Sequence, residues 1–277
     1  MAKQGSAAIA ARLDQALVEA QLVASRNRAQ ALVRGGRVRV DGVVTTRCGK
    51  RVPMGATLTV DDSVMPYVSR SGVKLDAALV RFGIVVDGTR CLDAGAGTGG
   101  FTDCLLQRGA AHVTAVDVGV DQLHPTLRTD PRVQVREGTD VRALSRSEVP
   151  PVDLLCADLS FISLRQVLPV LTSLLREGGD AVLLIKPQFE SGPGRTDWRG
   201  VVRDPAVLQQ AIAAVVTAVE GCSLVPLGLV PSPLPGRQGN REYLLWARKP
   251  PAPSPADLQA LVTMALERPP APQPPSS

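Results

Sequence analysis

An α/β fold is what this 277-residue chain predicts: a doubly wound, mostly parallel seven-stranded sheet, preceded by a small basic α+β module. Three observations point there. From Thr89 onward, apolar strand-length runs alternate with helix-length segments. One of those strands runs into a glycine-rich turn, "CLDAGAGTGGF", Cys91 to Phe101. The first 60 residues hold ten Lys and Arg against three Asp and Glu, whereas the remainder holds 21 against 23, so the basic excess belongs to the N-terminal segment.

Taken in order, "ARLDQALVEA" (11–20) sets Leu13, Leu17 and Val18 on one helical face. In "ASRNRAQALVRGG", Ser25 is the expected N-cap, Ala29, Leu32 and Val33 form the apolar face, and Gly35-Gly36 stops the helix. "RVRVDGVV" alternates at strand period around an Asp-Gly turn, and "ATLTV" reads as a further strand. Arg26, Arg28, Arg34, Arg37, Arg39 and Arg47 cluster on the second helix and the hairpin, and this module contains no aromatic residue. A cationic surface without stacking platforms suits structured, phosphate-displaying RNA better than flexible single strands.

The expected organisation is an RNA-binding domain over 1–60, a polar bridge over 61–70, a catalytic domain over 71–250 and a Pro-rich tail over 251–277. A helix covers "GVKLDAALVRFG", closed by Gly83. Strands are expected at "RCLDAG", "HVTAVDV", "VQVREG", "VDLLCADLS", "DAVLLIKP", "SLVPLGLVPS" and "EYLLWARK", with helices at 100–108, 121–127, 164–176 and 204–220. The last two strands are joined by a loop with no room for a helix, which predicts an antiparallel pair at one edge. "SPADLQALVTMALER" fits a short helix with Ser254 as cap and Pro255 at its first position, and "PPAPQPPSS" reads as disordered.

Residue usage excludes several classes. Five scattered cysteines without a CxxC pair form neither a zinc site nor a disulfide framework, and they point to a reducing cytoplasm. Two histidines, His112 and His124, are too few for most metal sites or a Ser-His-Asp relay, so no metal is expected. No N-terminal stretch reads as a signal peptide. No apolar run approaches the ~18 residues of a membrane span, so the expectation is a soluble cytoplasmic protein with no membrane partner.

Gly95, Gly97 and Gly100 satisfy G-x-G-x-x-G, and Asp117 ends the next strand, 22 residues after Gly95. Alone, that pattern serves dinucleotides equally well, and a nicotinamide-dependent oxidoreductase is the competing reading. Asp93 favours S-adenosylmethionine: before the first glycine, its carboxylate suits the cationic amino-acid end of that cofactor and repels a pyrophosphate. Asp140 and Asp158 follow the third and fourth strands, so the crevice is acidic. The candidate cofactor residues are Asp93, Gly95, Gly97, Gly99, Gly100, Phe101, Asp117 and Asp140. Methyl transfer to a weak nucleophile requires alignment and proton removal. With almost no histidine available, Lys186, at the carboxyl end of "AVLLI", is the expected activator.

"SRSGVKL", "CLDAGAGTGGFTDCLLQRGAAHVTAVDVG", "ADLSFISL", "KPQFESG" and "SPLPGRQGNREYLLW" together resemble the TlyA (haemolysin A) family of ribosomal RNA 2′-O-methyltransferases, whose catalytic domain is FtsJ-like and Rossmann-like. "ARLDQALVEAQLVASRNRAQALVRGGRVRVDG" resembles the small RNA-binding fold of the ribosomal protein S-four type. The likeness runs from residue 11 to about 248. It implies a catalytic Lys-Asp-Lys-Glu tetrad at Lys74, Asp158, Lys186 and Glu242, with Lys186 activating the ribose 2′-hydroxyl. A second cation at Lys74 would lower the Lys186 pKa, and the carboxylates would orient and compensate the pair. It also implies rRNA or ribosomal subunits as partner, methylated at cytidine ribose in the small subunit, the large subunit or both. Arg12, Arg26, Arg28, Arg47 and Arg70 are the candidate backbone contacts. Two departures are visible: Arg70-Ser71-Gly72 stands where the family has Arg-Gly-Gly, and Asp140 stands where an Asn is common. A non-catalytic RNA-binding protein keeping the fold is a further alternative. A pore-former is suggested only by the family's historical name, and no membrane strand set or spanning helix supports it.

Overall fold

The computed structural model describes residues 3–7, 11–23, 26–34, 36–61, 66–236 and 238–267. Contacts divide the chain into two compact units, Met1–Pro66 with Gln107–Gly109, and Tyr67–Leu106 with Ala110–Ser277.

The first unit contains β1 (Lys3–Ser6), β2 (Ala11–Arg12), α1 (Leu13–Glu19), α2 (Arg26–Arg34), β3 (Val38–Val40), β4 (Val43–Val44), β5 (Arg51–Val52) and β6 (Thr57–Val60). A four-stranded sheet runs in the order β1-β6-β3-β4, and β2 pairs with β5. Leu13, Leu17, Leu32, Val38 and Leu58 form its core. The β3–β4 hairpin turns at Asp41 (φ 50°) and Gly42 (φ 81°). Positive φ at both positions is what a two-residue turn needs to match the twist of its strands, and Asp-Gly supplies it at low cost. The helix expected from residue 11 starts at Leu13, because Ala11 and Arg12 instead pair with Val52 and Arg51. The expected cap Ser25 and stop Gly35 lie outside the described residues.

The second unit contains α3 (Ser71–Phe82), β7 (Arg90–Ala94), α4 (Gly100–Gln107), β8 (His112–Val116), α5 (Pro125–Arg128), β9 (Val133–Arg136), a 3-10 turn at Val141–Ala143, β10 (Val152–Ala157), α6 (Leu164–Leu174), β11 (Leu175–Ile185), α7 (Pro187–Glu190), α8 (Pro205–Gly221), β12 (Val225–Pro231), β13 (Tyr243–Arg248) and α9 (Leu258–Glu267). The seven-stranded sheet runs β12-β13-β11-β10-β7-β8-β9. β7 to β11 are parallel to their neighbours within that group, and β13 is antiparallel to both β11 and β12. The expected antiparallel pair is therefore at the edge, with the last strand of the chain inserted inside the one before it.

Period-two alternation explains why the central strands read as unbroken apolar runs. Leu155, Ala157, Ala181, Leu183 and Ile185 join the core that includes α6 and α8 side chains, while Leu154, Cys156, Val182 and Leu184 join the core that includes α3 and α4 side chains. Both sheet faces are covered, so these positions are apolar, and the buried polar side chains of the neighbouring strands, Asp93 of β7 and Thr114 of β8, are bonded to Thr102 and Gln134. Two expectations fail. The helix placed at 121–127 is only Pro125–Arg128, because Glu137 accepts the amides of Asp121, Gln122 and Leu123 at 3.0, 2.9 and 2.9 Å and holds them in a loop. In the Pro-rich tail the helix starts at Leu258, not at Pro255: Asp257, rather than Ser254, accepts the Ala260 amide at 3.1 Å. That helix buries Val262 and Ala265 in the core of the second unit.

Candidate active site

The parallel strands all end at the same edge of the sheet, and the segments leaving that edge carry most of the site residues expected from the sequence. After β7 the chain turns through glycines with positive φ, 86° at Gly95, 50° at Gly97 and 95° at Gly99. At Gly95 the requirement is also steric, since a Cβ would stand 2.6 Å from the Asp158 carbonyl oxygen. The turn and the end of β10 are thus in direct contact, joined further by the Asp158 amide donating to Ala94 O at 2.9 Å.

The predicted cofactor residues separate into three groups. Asp93 is fully buried, with Thr102 Oγ1 donating to its Oδ2 at 2.6 Å and no protein partner for Oδ1. Burial first, and then the nearby carboxylates Asp158 and Asp117, push its carboxyl up to about 7, against the pull of Thr102. Asp117 accepts the Gly97 amide at 2.8 Å and the Gly119 amide at 2.7 Å, so it organises the loop as well as facing it. Gly97 opens onto free space. Gly99 and Gly100 serve close packing: a Cβ would collide with Leu127 and Leu123 at the first, and with Ser71 and Ser69 at the second. The Phe101 side chain is 1% exposed in the core, so a cofactor contact at this position falls to its backbone rather than its ring. Asp140 is also not a free acid. It caps the 3-10 turn and pairs with Arg142 at 2.6 Å, which holds its carboxyl below the usual range.

All four tetrad positions meet at the ends of β10 and β11 and the start of β13, but as two ion pairs of different character. Ile185 and Tyr243 are register partners in the antiparallel β11–β13 ladder, so Lys186 and Glu242 are the next positions along. Ala157 pairs with Leu183, which brings Asp158 to the same edge. Glu242 receives Lys74 Nζ of α3 at 2.5 Å, and both are buried, 8% and 4% exposed. Lys186 Nζ lies 2.7 Å from Asp158 Oδ1 and donates to Ser160 Oγ at 2.8 Å; the two lysine side chains are about equally enclosed, and the carboxylate of this pair, Asp158, is more open than Glu242. Each lysine has its own carboxylate, so the Lys74 charge expected to act on Lys186 is locally compensated.

Three features escaped the sequence reading. Glu137 binds Arg128 at 2.7 Å as well as the loop amides; those contacts, the Leu123 amide foremost, hold its carboxyl down to about 2. Buried Glu190 accepts Ser163 Oγ at 2.5 Å and the Leu164 amide at 2.7 Å, tying the segment after Lys186 to the start of α6. Phe161, three residues after Asp158, is 92% exposed at φ 65°. A bulky residue in that region costs of order 1–3 kcal/mol, and such strain clusters at functional sites. Phe161 edges a hollow of about 390 Å³ lined also by Gln166, Gln188, Phe189, Pro193 and Thr196. The only available signal for Phe161 was an aromatic inside "ADLSFISL" in a chain with eight aromatics.

In the first unit, Asp14 is fully buried and accepts from Arg12 Nε at 3.1 Å, Arg26 Nε at 2.9 Å and Gln30 Nε2 at 2.8 Å. Burial pushes its carboxyl up, yet these donors together hold it below the usual range. Arg12 and Arg26 are half exposed and share this anchor, so their guanidinium groups are held in place side by side. Arg47 and Arg70 are exposed, and the Arg28 side chain lies outside the described residues. Among the described residues no group of His, Cys, Asp or Glu is arranged to hold a metal, and no helix is long and apolar enough to cross a membrane.

Comparison with known proteins places two family models on the chain: FtsJ-like methyltransferase over residues 67–249 and S4 domain over residues 11–58. The chain is 48% identical over 240 residues to a 16S/23S rRNA (cytidine-2′-O)-methyltransferase TlyA of Mycobacterium tuberculosis, covering 86% of this chain and 90% of that protein. It is 37% identical over 237 residues to Hemolysin A of Brachyspira hyodysenteriae, covering 84% and 98%. A solved structure of a candidate hemolysin from Streptococcus thermophilus matches with a TM-score of 0.70 at 34% identity, over 94% of this chain and 95% of that one.

Proposed function

For a chain that belongs to the FtsJ-like methyltransferase family, in its TlyA branch with an N-terminal S4 domain, we propose S-adenosylmethionine-dependent methylation of a cytidine ribose 2′-hydroxyl in ribosomal RNA, carried out in the cytoplasm. The observation that carries this reading is the pair of lysine–carboxylate bridges at one sheet edge, beside a glycine turn with an unpaired buried carboxylate oxygen.

The donor set of the crevice fits this cofactor. Asp93 Oδ1 is a buried acceptor awaiting a donor, and Asp117 and Asp158 add to the negative potential around it. That potential suits an ammonium and a sulfonium and opposes a pyrophosphate, which argues against the nicotinamide alternative. Asp93, Gly95, Gly97 and Asp117 would hold the cofactor, while Gly99 and Gly100 shape the turn from behind. When bound, S-adenosylmethionine supplies an electrophilic methyl group.

This chain's own residues then supply the rest. Lys186 Nζ, in its neutral form, accepts the 2′-hydroxyl proton as the ribose oxygen becomes the nucleophile. Asp158 and Ser160 hold Nζ in place beforehand, and Asp158 compensates the ammonium that forms. The buried Lys74–Glu242 bridge is the scaffold of the site: it fixes the start of β13 against α3. Phe161 offers an exposed ring on which the target base can stack, next to the hollow that would receive it. Arg12 and Arg26, locked on Asp14, grip rRNA phosphates, joined by Arg47 and Arg70.

Purified protein incubated with ribosomal subunits and methyl-labelled S-adenosylmethionine should incorporate label into rRNA. Mapping 2′-O-methyl sites in cells with and without the gene then identifies the nucleotide. Absence of any rRNA methylation in both assays defeats the reading.

A further inference from the structure

The chain has eight aromatic side chains, and their distribution is uneven. Tyr67, Phe101 and Tyr243 are buried, Phe82 stacks on Trp246, and Phe189 packs against Phe161. Among all eight, only Phe161 and Trp198 are exposed, at 92% and 84%. Both stand on segments that follow strands of the catalytic edge, Phe161 after β10 and Trp198 after β11 and α7. The first 60 residues contain no aromatic, so any stacking of unpaired bases has to come from the second unit.

Trp198 is presented by a loop that is tightly organised. Asp197 accepts the Arg199 amide at 2.8 Å, the Val201 amide at 2.9 Å and Arg203 Nε at 2.7 Å, closing the turn around the indole. Asn240, 1% exposed, accepts the Val202 amide at 3.0 Å and donates to Gly200 O at 2.9 Å. Asn240 stands two residues before Glu242, so the loop is fastened to the same segment that carries the buried bridge. Arg199 lies over the Trp198 ring, 4.3 Å from its centroid, and Arg195 is exposed three residues earlier. The loop acids are occupied: Asp197 in the turn, and Asp204 in capping α8 through the Ala206 amide at 2.8 Å.

An exposed indole on a hydrogen-bonded loop, with a guanidinium over one face and a further exposed arginine three residues earlier, matches what grips an unpaired nucleotide: a π-surface for the base and positive charge for its phosphate. We infer that Trp198, with Arg195 and Arg199, forms a second nucleotide platform, which holds an unpaired nucleotide of the rRNA flanking the methylated ribose. This rests on the rRNA methyltransferase reading above. Its consequence is a division of labour: the arginines of the first unit bind phosphates of folded RNA, and the loops of the second unit hold splayed bases.

The test uses the full-length protein. Trp198→Ala should raise the KM for rRNA about tenfold, the scale of one lost base stack, with kcat changed less than twofold, and Trp198→Phe should restore most of the loss. Trp246, stacked on Phe82 and donating its indole N–H to Asp180, serves as an internal reference for fluorescence. Titration with a single-stranded RNA oligonucleotide should quench wild-type emission and leave the Trp198→Phe variant unchanged. A KM within twofold of wild type, or no quenching difference between the two proteins, overturns the platform. If the wild-type protein methylates no rRNA, the enzymatic reading fails, while the quenching difference still decides the platform by itself.

Discussion

Replacing Asp93 by Asn tests the acidic crevice directly. Asp93 is fully enclosed, bonded to Thr102 on one oxygen and unpartnered on the other, and its carboxyl is pushed up to about 7 by burial and by the neighbouring Asp158 and Asp117. The ordinary value is 3.8, so between about pH 4 and pH 7 the folded chain binds a proton here that the unfolded chain has released. Stability therefore falls as pH rises through this window and is level above it. At 1.36 kcal/mol per pH unit the whole cost is about 4 kcal/mol, of which about 3 falls between pH 5 and pH 8. Asn keeps the size and the Thr102 acceptor but cannot ionise. In urea denaturation across that range, the stability of Asp93→Asn relative to wild type should grow with pH by about 3 kcal/mol. Comparing the two proteins cancels the pH dependence of the groups that are not coupled to Asp93. A difference that stays flat with pH refutes the argument. The same carboxyl links to the cofactor, because a cation placed beside Oδ1 favours the ionised form. Binding of S-adenosylmethionine at pH 6 should then release a proton, visible as a buffer-dependent enthalpy in calorimetry and absent in Asp93→Asn.

Lys186→Ala should lower methylation by at least 10²-fold while cofactor affinity and thermal stability stay near wild type, and unchanged turnover in rRNA methylation assays would sink the proposed proton acceptor. Lys74→Ala strands the buried Glu242 carboxylate and should cost about 3–5 kcal/mol in chemical denaturation, a loss much larger than that of Lys186→Ala. Phe161→Ala removes a ring that is 92% exposed while keeping the Cβ and the strained φ, so it should raise the KM for rRNA by about tenfold with little change in stability; a lower melting temperature would instead assign the ring a packing role. Arg26→Ala should weaken rRNA binding and reduce the slope of log affinity against log salt by about one, measured by filter binding across a salt series.

The elements that local pattern specifies were legible in the chain. "CLDAGAGTGGF" announces a strand and a tight turn because positive φ at alternate positions, Gly95, Gly97 and Gly99, favours glycine, and "AVLLI" announces a strand covered on both faces because every position is apolar. Lys186, immediately after that strand, had to emerge at the active edge. The helix placed over 121–127 failed for a reason outside its own window: the carboxylate that unwinds it is Glu137, on the far side of β9. Asp140 was read as a cofactor residue, and its pairing with Arg142 and its capping of the 3-10 turn are contacts that the strand pattern before it does not announce.

The sequence by itself determined the order of the seven strands of the large sheet, the glycine-rich turn and the basic first unit, because each is written in a short window with its own period or composition, while the Lys-Asp-Lys-Glu set was legible only through the resemblance to a family. Tertiary structure decided how they combine. It inserted the last strand between β11 and β12, paired Lys74 with a glutamate 168 positions away, buried that glutamate more deeply than Asp158, and left two aromatics facing solvent. The physical reason is that periodicity fixes which face of an element is apolar, whereas the partner of a charge and the exposure of a ring depend on which distant edges meet when those faces are buried.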